Sequence, residues 1–284
     1  MSKLSINRET RLCMSLSARP GNFGTRFHNH LYEALGLNFV YKAFGAKDLP
    51  GAIGGIRALG IRGCAVSMPF KEACIPMLDQ LDPSAAAIGS VNTIVNDDGV
   101  LNAYNTDYIA IERLVGQAGI DPGMPFVLRG SGGMAKAVAY ALHGSGFMHG
   151  TILARNEKSG RALADGCGYG WASDLDGLSS GMLVPGMLVP GMLVNVTPVG
   201  MQGGPEADEL AFDEAVIAAA DVVVDAVALP SETPLIRKAR DLGKRIVTGA
   251  EIQTVQALEQ FILYTGVTPS AEQVTAAAAF AGAA

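Results

Sequence analysis

The sequence predicts an α/β protein of two domains, and three observations carry that prediction. Helix-like and strand-like segments alternate along most of the chain, which implies mostly parallel sheets. A glycine-rich turn, Gly130-Ser131-Gly132-Gly133, sits between a strand-like and a helix-like segment near the middle. The 284 residues are 49% hydrophobic and 17% charged, apolar enough to build two cores.

In the N-terminal part, apolar spacing predicts a helix over 27–35, a β-branched and aromatic strand over 39–43, a helix over 48–59, a buried strand over 64–67 and a helix over 72–81. Residues 93–102 read as a hairpin, because Asn96-Asp97-Asp98-Gly99 tolerates positive φ. A helix over 108–118 follows. After the turn-rich stretch 119–125 come a strand at 126–128, a helix at 134–144, a strand at 150–154 and a helix at 158–164, the β-α-β-α cadence of a mononucleotide-binding half. Later strands are expected at 192–196, 222–226 and 246–248, and a helix over 253–264 that returns to the first domain.

The net charge of −6, with lysine and arginine scattered, supplies no basic stripe for nucleic acid or an anionic membrane. A small-molecule partner is expected, with a homodimer left open. Cys13, Cys64, Cys74 and Cys167 have no short paired spacing, and no signal-peptide pattern opens the chain, so a cytoplasmic setting without disulfides is expected. The most apolar window, 182–199, is broken by Pro185, Gly186, Pro190, Gly191, Asn195 and Pro198, which argues against a membrane span. That window contains a tandem repeat: Gly181-Met182-Leu183-Val184-Pro185 recurs at 186–190 and, ending in Asn195, at 191–195. Five residues are too few for a solenoid unit. The first two copies therefore read as an inserted apolar loop, or else as a partner-binding segment, and only the third runs into a strand.

The glycine turn has clear mechanics. Gly130 permits a tight strand-to-helix turn, Gly132 lets the backbone approach a pyrophosphate, and Gly133 or Ala135 permits close helix packing, while Ser131, Met134 and the helix N-terminus complete a dinucleotide-binding turn. The same glycines at a ligand-free turn are the plain alternative. At the end of the next strand, Ala154-Arg155-Asn156 offers an arginine and no acidic residue, which leans the cofactor from NAD towards NADP, although Arg155 could equally be a solvated loop charge. Three polar clusters in otherwise apolar sequence hold further chemistry: Ser67-Met68-Pro69-Phe70-Lys71, Ser90-Val91-Asn92-Thr93 and Asn105-Thr106-Asp107. A lysine, an amide and a carboxylate can hold a polyhydroxylated ring and move a proton at its carbonyl. Singly, Lys71 reads as a solvated loop lysine and Asp107 as a helix cap. His28 and His30, two residues apart on a helix, face different ways and suggest no metal site.

From about residue 12 to 266 the chain resembles the shikimate dehydrogenase family, and specifically its divergent shikimate dehydrogenase-like branch. The resemblance is carried by Phe27-His28-Asn29, Ser67-Met68-Pro69-Phe70-Lys71, Ile88-Gly89-Ser90-Val91-Asn92-Thr93, Asn105-Thr106-Asp107, residues 130–137, Asn195-Val196-Thr197-Pro198-Val199-Gly200-Met201, Thr233-Pro234-Leu235 and residues 256–266, all in the family's order. It implies an aromatic amino acid biosynthesis activity: reversible hydride transfer between NADP or NAD and a cyclohexene acid, interconverting 3-dehydroshikimate and shikimate, with quinate as a related substrate. The implied catalytic pair is Lys71 and Asp107. Asn92, Gln256 and Ser67, the last in place of a usual threonine, match substrate binders, and Asn195 and Thr197 match a segment along the cofactor. The family's carboxylate-binding S-x-S pair falls on Asn22 and Gly24 by ungapped counting, or on Ser15 and Ser17 if an insertion follows them. A usual tyrosine is Ala228, three residues after Asp225. These departures fall at the carboxylate-recognition end, while the implied catalytic pair is retained.

Together these readings predict a substrate-binding catalytic domain of residues 1–110 plus 248–284, a Rossmann-type dinucleotide-binding domain of 111–247, and an active site in the cleft separating them. The rival function is a catalytically weak metabolite-sensing or scaffolding protein that keeps the fold.

Overall fold

Two sheets organise the computed structural model, which describes residues 5–173 and 190–283. Residues 174–189, including most of the first two repeat copies, lie outside the described residues, and so does the expectation of an inserted loop. The chain forms two units, Met1–Thr106 with Thr254–Ala284, and Asp107–Gln253.

The first unit holds a six-stranded sheet ordered β2-β1-β3-β5-β6-β4. Its strands are β1 (Arg11–Ser17), β2 (Phe39–Gly45), β3 (Gly63–Val66), β4 (Gln80–Leu81), β5 (Thr93–Asp97) and β6 (Val100–Tyr104). β1 pairs in parallel with β2 and β3, whereas β5 runs antiparallel to β3 and β6. Sequence pattern misses β1, because Ser15 and Ser17 interrupt its apolar run. Both faces of that strand are nonetheless covered: Met14 and Leu16 enter one core with α2 (Leu49–Ala58), and Cys13 enters another with α1 (Phe23–Ala34).

The helix expected over 72–81 does not form. Instead there is a single turn, α3 (Phe70–Ala73), then a 3₁₀ turn at Ile75–Met77, and β4 pairs in parallel with β6. Pro76 removes a donor that a continuing helix needs. The Asp79 carboxylate accepts from the Leu101 backbone N–H at 2.7 Å and from Arg57 at 2.7 Å, which draws the chain to the sheet edge. After α4 (Pro83–Ala86), the hairpin β5–β6 closes through Asp98 at φ 50° and Gly99 at φ 95°, the two left-handed residues its tight turn requires. Two C-terminal helices complete this unit. Leu258, Phe261 and Tyr264 of α10 (Gly249–Thr265), with Ala277 and Ala281 of α11 (Ala271–Gly282), share a core with Phe27, Leu31 and Tyr32 of α1.

The second unit is a wholly parallel sheet ordered β12-β11-β10-β7-β8-β9. Its strands are β7 (Phe126–Arg129), β8 (Gly150–Leu153), β9 (Gly170–Ala172), β10 (Met192–Asn195), β11 (Val222–Asp225) and β12 (Arg245–Val247). Its helices are α5 (Thr106–Gln117, whose first residue lies in the first unit), α6 (Gly133–Gly144), α7 (Glu157–Cys167), α8 (Glu214–Ala219) and α9 (Pro234–Asp241). The central strands are apolar on both faces, with Phe126 and Leu128 in one core and Val127 in the other. Strand order runs outward from β7 to β9 and then returns to β10 on the other side of β7. The carboxyl ends of β7 and β10 therefore mark the point where an open α/β sheet binds ligands.

Candidate active site

At that point the second unit has a cavity of about 510 Å³, lined by Arg129, the Gly130–Gly132 turn, Ala154 to Asn156, Ser173 and the Val196–Val199 loop. Gly130 is fixed by geometry: its φ is +130°, and a Cβ there would lie 2.8 Å from Val196 Cγ2. Gly132, the N-cap of α6, and Gly133 open onto free space, so their lack of a side chain leaves room beside the first N–H groups of the helix. The close helix packing falls to Ala135, which is fully buried, rather than to Gly133. Ser131 Oγ meets Ser159 Oγ at 2.8 Å and ties the turn to α7, whose N-terminus Asn156 caps. Gly133 and Met134 do not line the cavity.

Arg155 is exposed on the cavity wall. Arg129, which the sequence reading passed over, stands on the same wall, donates to the Ala211 carbonyl and has its pKa lowered by burial and by the neighbouring Arg155. Its signal is a charged residue ending an apolar strand. Thr197 lines the cavity, but Asn195 lies behind it. The Asn195 amide donates to Asp225 Oδ1 at 3.0 Å while its oxygen accepts from Thr197 Oγ1 at 2.6 Å and Thr197 N–H at 3.1 Å. Asp225, whose carboxyl burial pushes up, also accepts from Thr233 Oγ1 at 2.6 Å and from the Val227 N–H. Asn195 thus braces the loop that carries Thr197.

Of the other candidates, Asp107 opens the second unit and the rest lie in the first. Ser15 and Ser17 end β1 on one face, and residues 18–22 connect them to α1. Ser17 Oγ is buried and has no protein partner, whereas Asn22 is exposed and its side chain caps nothing. The backbone joins this strand end to the next motif: Ser67 N–H donates to Leu16 O at 2.9 Å, and Ala18 N–H to Met68 O at 3.2 Å. Ser67 is exposed, and Lys71 on α3 is half-buried. Val91 N–H donates to Lys71 O at 2.8 Å, which places the lysine beside the Asn92 segment. Asn92 is 1% exposed and accepts from Thr106 N–H at 2.7 Å, so it grips the residue that precedes Asp107, itself buried in the first turn of α5. Gln256 is half-buried on α10. The two histidines do not converge. His28 is fully buried, stacks on Tyr41 at 4.5 Å, and burial lowers its pKa to about 3, while His30 sits against Phe280. Among the described residues no group of His, Cys, Asp and Glu could hold a metal ion, and no helix is long and apolar enough to cross a membrane.

Comparison with known proteins identifies the family. A family model for the shikimate dehydrogenase substrate-binding domain matches residues 23–94. A shikimate dehydrogenase-like protein of Haemophilus influenzae is 54% identical over 276 residues, covering 97% of this chain and 98% of that protein. The chain belongs to the shikimate dehydrogenase family. A solved shikimate 5-dehydrogenase-like structure superposes with a TM-score of 0.92 at 54% identity, covering 98% of this chain and 99% of that one. Shikimate 5-dehydrogenase of Thermus thermophilus, solved in complex with NADP(H) and shikimate, superposes with a TM-score of 0.82 at 27% identity, over 95% of this chain and 99% of that one. The protein is thus an NAD(P)-dependent oxidoreductase of the shikimate dehydrogenase type, with the two-domain α/β fold expected from its sequence.

Proposed function

We propose that the protein reduces 3-dehydroshikimate to shikimate, reversibly, with NADP as the favoured cofactor, in the cytoplasm. The observation that carries this reading is the polar set Lys71, Asn92 and Asp107, with Thr106 N–H held to Asn92 at 2.7 Å, in a chain that also has a glycine-turn cavity with Arg155 on its wall. The cavity fits a dinucleotide: the free space over Gly132 and Gly133 admits a pyrophosphate at the α6 N-terminus, and Arg155 offers a cation to a ribose 2′-phosphate. A dinucleotide held by the Gly130–Gly132 turn and Arg155 would supply the hydride chemistry of the reaction. The chain's own residues handle the proton. In the reducing direction the Lys71 ammonium donates to the ring carbonyl oxygen and gives it a proton as the alcohol forms, while Asp107 accepts from a ring hydroxyl. Asn92 donates to a ring oxygen, and Ser67, Gln256 and the Ser15–Ser17 pair remain for the other hydroxyls and the carboxylate. All four cysteines are buried, and burial pushes the Cys13 thiol up to about 12, which makes it a poor nucleophile.

The test is a panel of shikimate and quinate, each with NADP and with NAD, read at the nicotinamide absorbance. Turnover is expected with shikimate and NADP. Binding of shikimate without turnover under any pairing would favour the sensing role instead.

A further inference from the structure

Asn92 is held more tightly than a substrate-binding amide needs. Its side-chain oxygen accepts from Thr106 N–H at 2.7 Å, from Thr93 Oγ1 at 2.8 Å and from Thr106 Oγ1 at 3.1 Å. A backbone N–H can only donate, so this contact alone fixes which end of the amide faces Thr106, and three donors leave the oxygen no capacity for a ligand. The opposite end differs: Asn92 Nδ2 is buried and has no protein acceptor. A buried donor without a partner is rare, and it marks a place where a ligand atom completes the bonding.

The orientation is backed by a second layer reached from α10. Gln260, 3% exposed, donates from Nε2 to Thr93 Oγ1 at 3.0 Å. Thr93 is fully buried, and its hydroxyl also lies 3.2 Å from Thr106 Oγ1. A hydroxyl that accepts from Gln260 is left to direct its own proton to Asn92, and donors and acceptors in series strengthen one another.

We propose that Gln260 and Thr93, with Thr106, are positioning residues that hold Asn92 as a dedicated hydrogen-bond donor to a substrate oxygen. This rests on the proposed function for the identity of the substrate. It also narrows the chemistry: the ligand atom facing Asn92 must accept, as a hydroxyl, carbonyl or carboxylate oxygen does and an ammonium does not. A hydroxyl and the carbonyl formed from it satisfy the same donor, so the contact suits both directions of the reaction.

Three variants test it. Thr93→Val deletes the hydroxyl at constant shape, Thr93→Ser keeps it, and Thr93→Val with Gln260→Leu removes the donor that the first change leaves with only the Asn92 backbone carbonyl, at 3.5 Å. Thr93→Val should raise the KM for shikimate about tenfold, the effect of one misplaced hydrogen bond, with kcat changed less than about threefold and NADP affinity unchanged. Thr93→Ser should restore most of that KM. The double variant should regain the Tm lost by Thr93→Val but not the KM. An unchanged KM in Thr93→Val, or a KM that recovers with Tm in the double variant, would overturn the proposal. If the parent fails to turn over shikimate, the function reading falls, and ¹⁵N relaxation of the Asn92 side-chain amide decides the positioning separately. That amide should be as ordered as rigid backbone in the parent, with an order parameter of about 0.85, and should drop below about 0.6 in Thr93→Val. An amide that stays rigid in Thr93→Val contradicts the inference.

Discussion

Arg155 stands exposed on the cavity wall, so its worth lies in what it binds and not in what it packs against. If it clamps a 2′-phosphate, Arg155→Ala removes a charge-assisted contact from NADP alone, and NADP affinity should fall about 10- to 100-fold while NAD affinity changes less than about twofold. Titration of both cofactors checks this, and equal losses would make Arg155 a solvated loop charge. His28 leads to a different prediction, since burial holds it neutral down to about pH 3 against an ordinary value of 6.5. The unfolded chain takes up that proton first, so the contribution is complete above about pH 6.5 and is lost as pH falls towards 3, at about 1.4 kcal/mol per pH unit. Between pH 6.5 and 5 the parent should lose about 2 kcal/mol more stability than His28→Phe, measured by denaturant unfolding at each pH. Parallel pH profiles would mean that the imidazole is not the group that titrates. At this scale Lys71, Asn92 and Asp107 are legible in the sequence as polar clusters in apolar surroundings. Arg129 and Gln260 are not, because each acquires its meaning from a partner 82 or 167 residues away in the chain.

Elements whose signal is local come through best. The β7–turn–α6 unit is visible because glycine is required there for two separable reasons, and substitutions should separate them. Gly130→Ala forces a side chain onto positive φ and against Val196, so it should cost about 1–3 kcal/mol or more and lower the Tm by several degrees. Gly132→Ala meets no protein atom within 4 Å, so it should melt with the parent and lose cofactor affinity. A Gly130→Ala protein with the parent Tm would show that the turn relaxes at little cost. β1 and β4 are among the elements absent from the sequence reading, with β9, α4, α8, α9 and α11. Apolar periodicity cannot anticipate that the two serines of β1 end a strand covered on both faces, nor that Asp79 draws residues 80–81 into register with Asn102 and Ala103.

Over the whole molecule, the second unit is the more legible, since a wholly parallel sheet demands the regular alternation that periodicity detects. The first unit mixes parallel and antiparallel pairings, and its core depends on α10 and α11, far from α1 in the chain, so the pattern points to its class and not to its strand order. The proposed chemistry asks different things of the two units: Lys71 and Asn92 belong to the first, and the glycine-turn cavity belongs to the second. Substitution of the lysine should therefore separate catalysis from cofactor binding. The decisive measurement is kcat for shikimate oxidation and Kd for NADP in the parent and in Lys71→Ala. A fall in kcat of roughly 10² or more, with Kd within about twofold of the parent, is the predicted result for a positioned proton-transfer group outside the cofactor cavity. Unchanged turnover, or NADP binding lost in step with turnover, would contradict the assignment of Lys71.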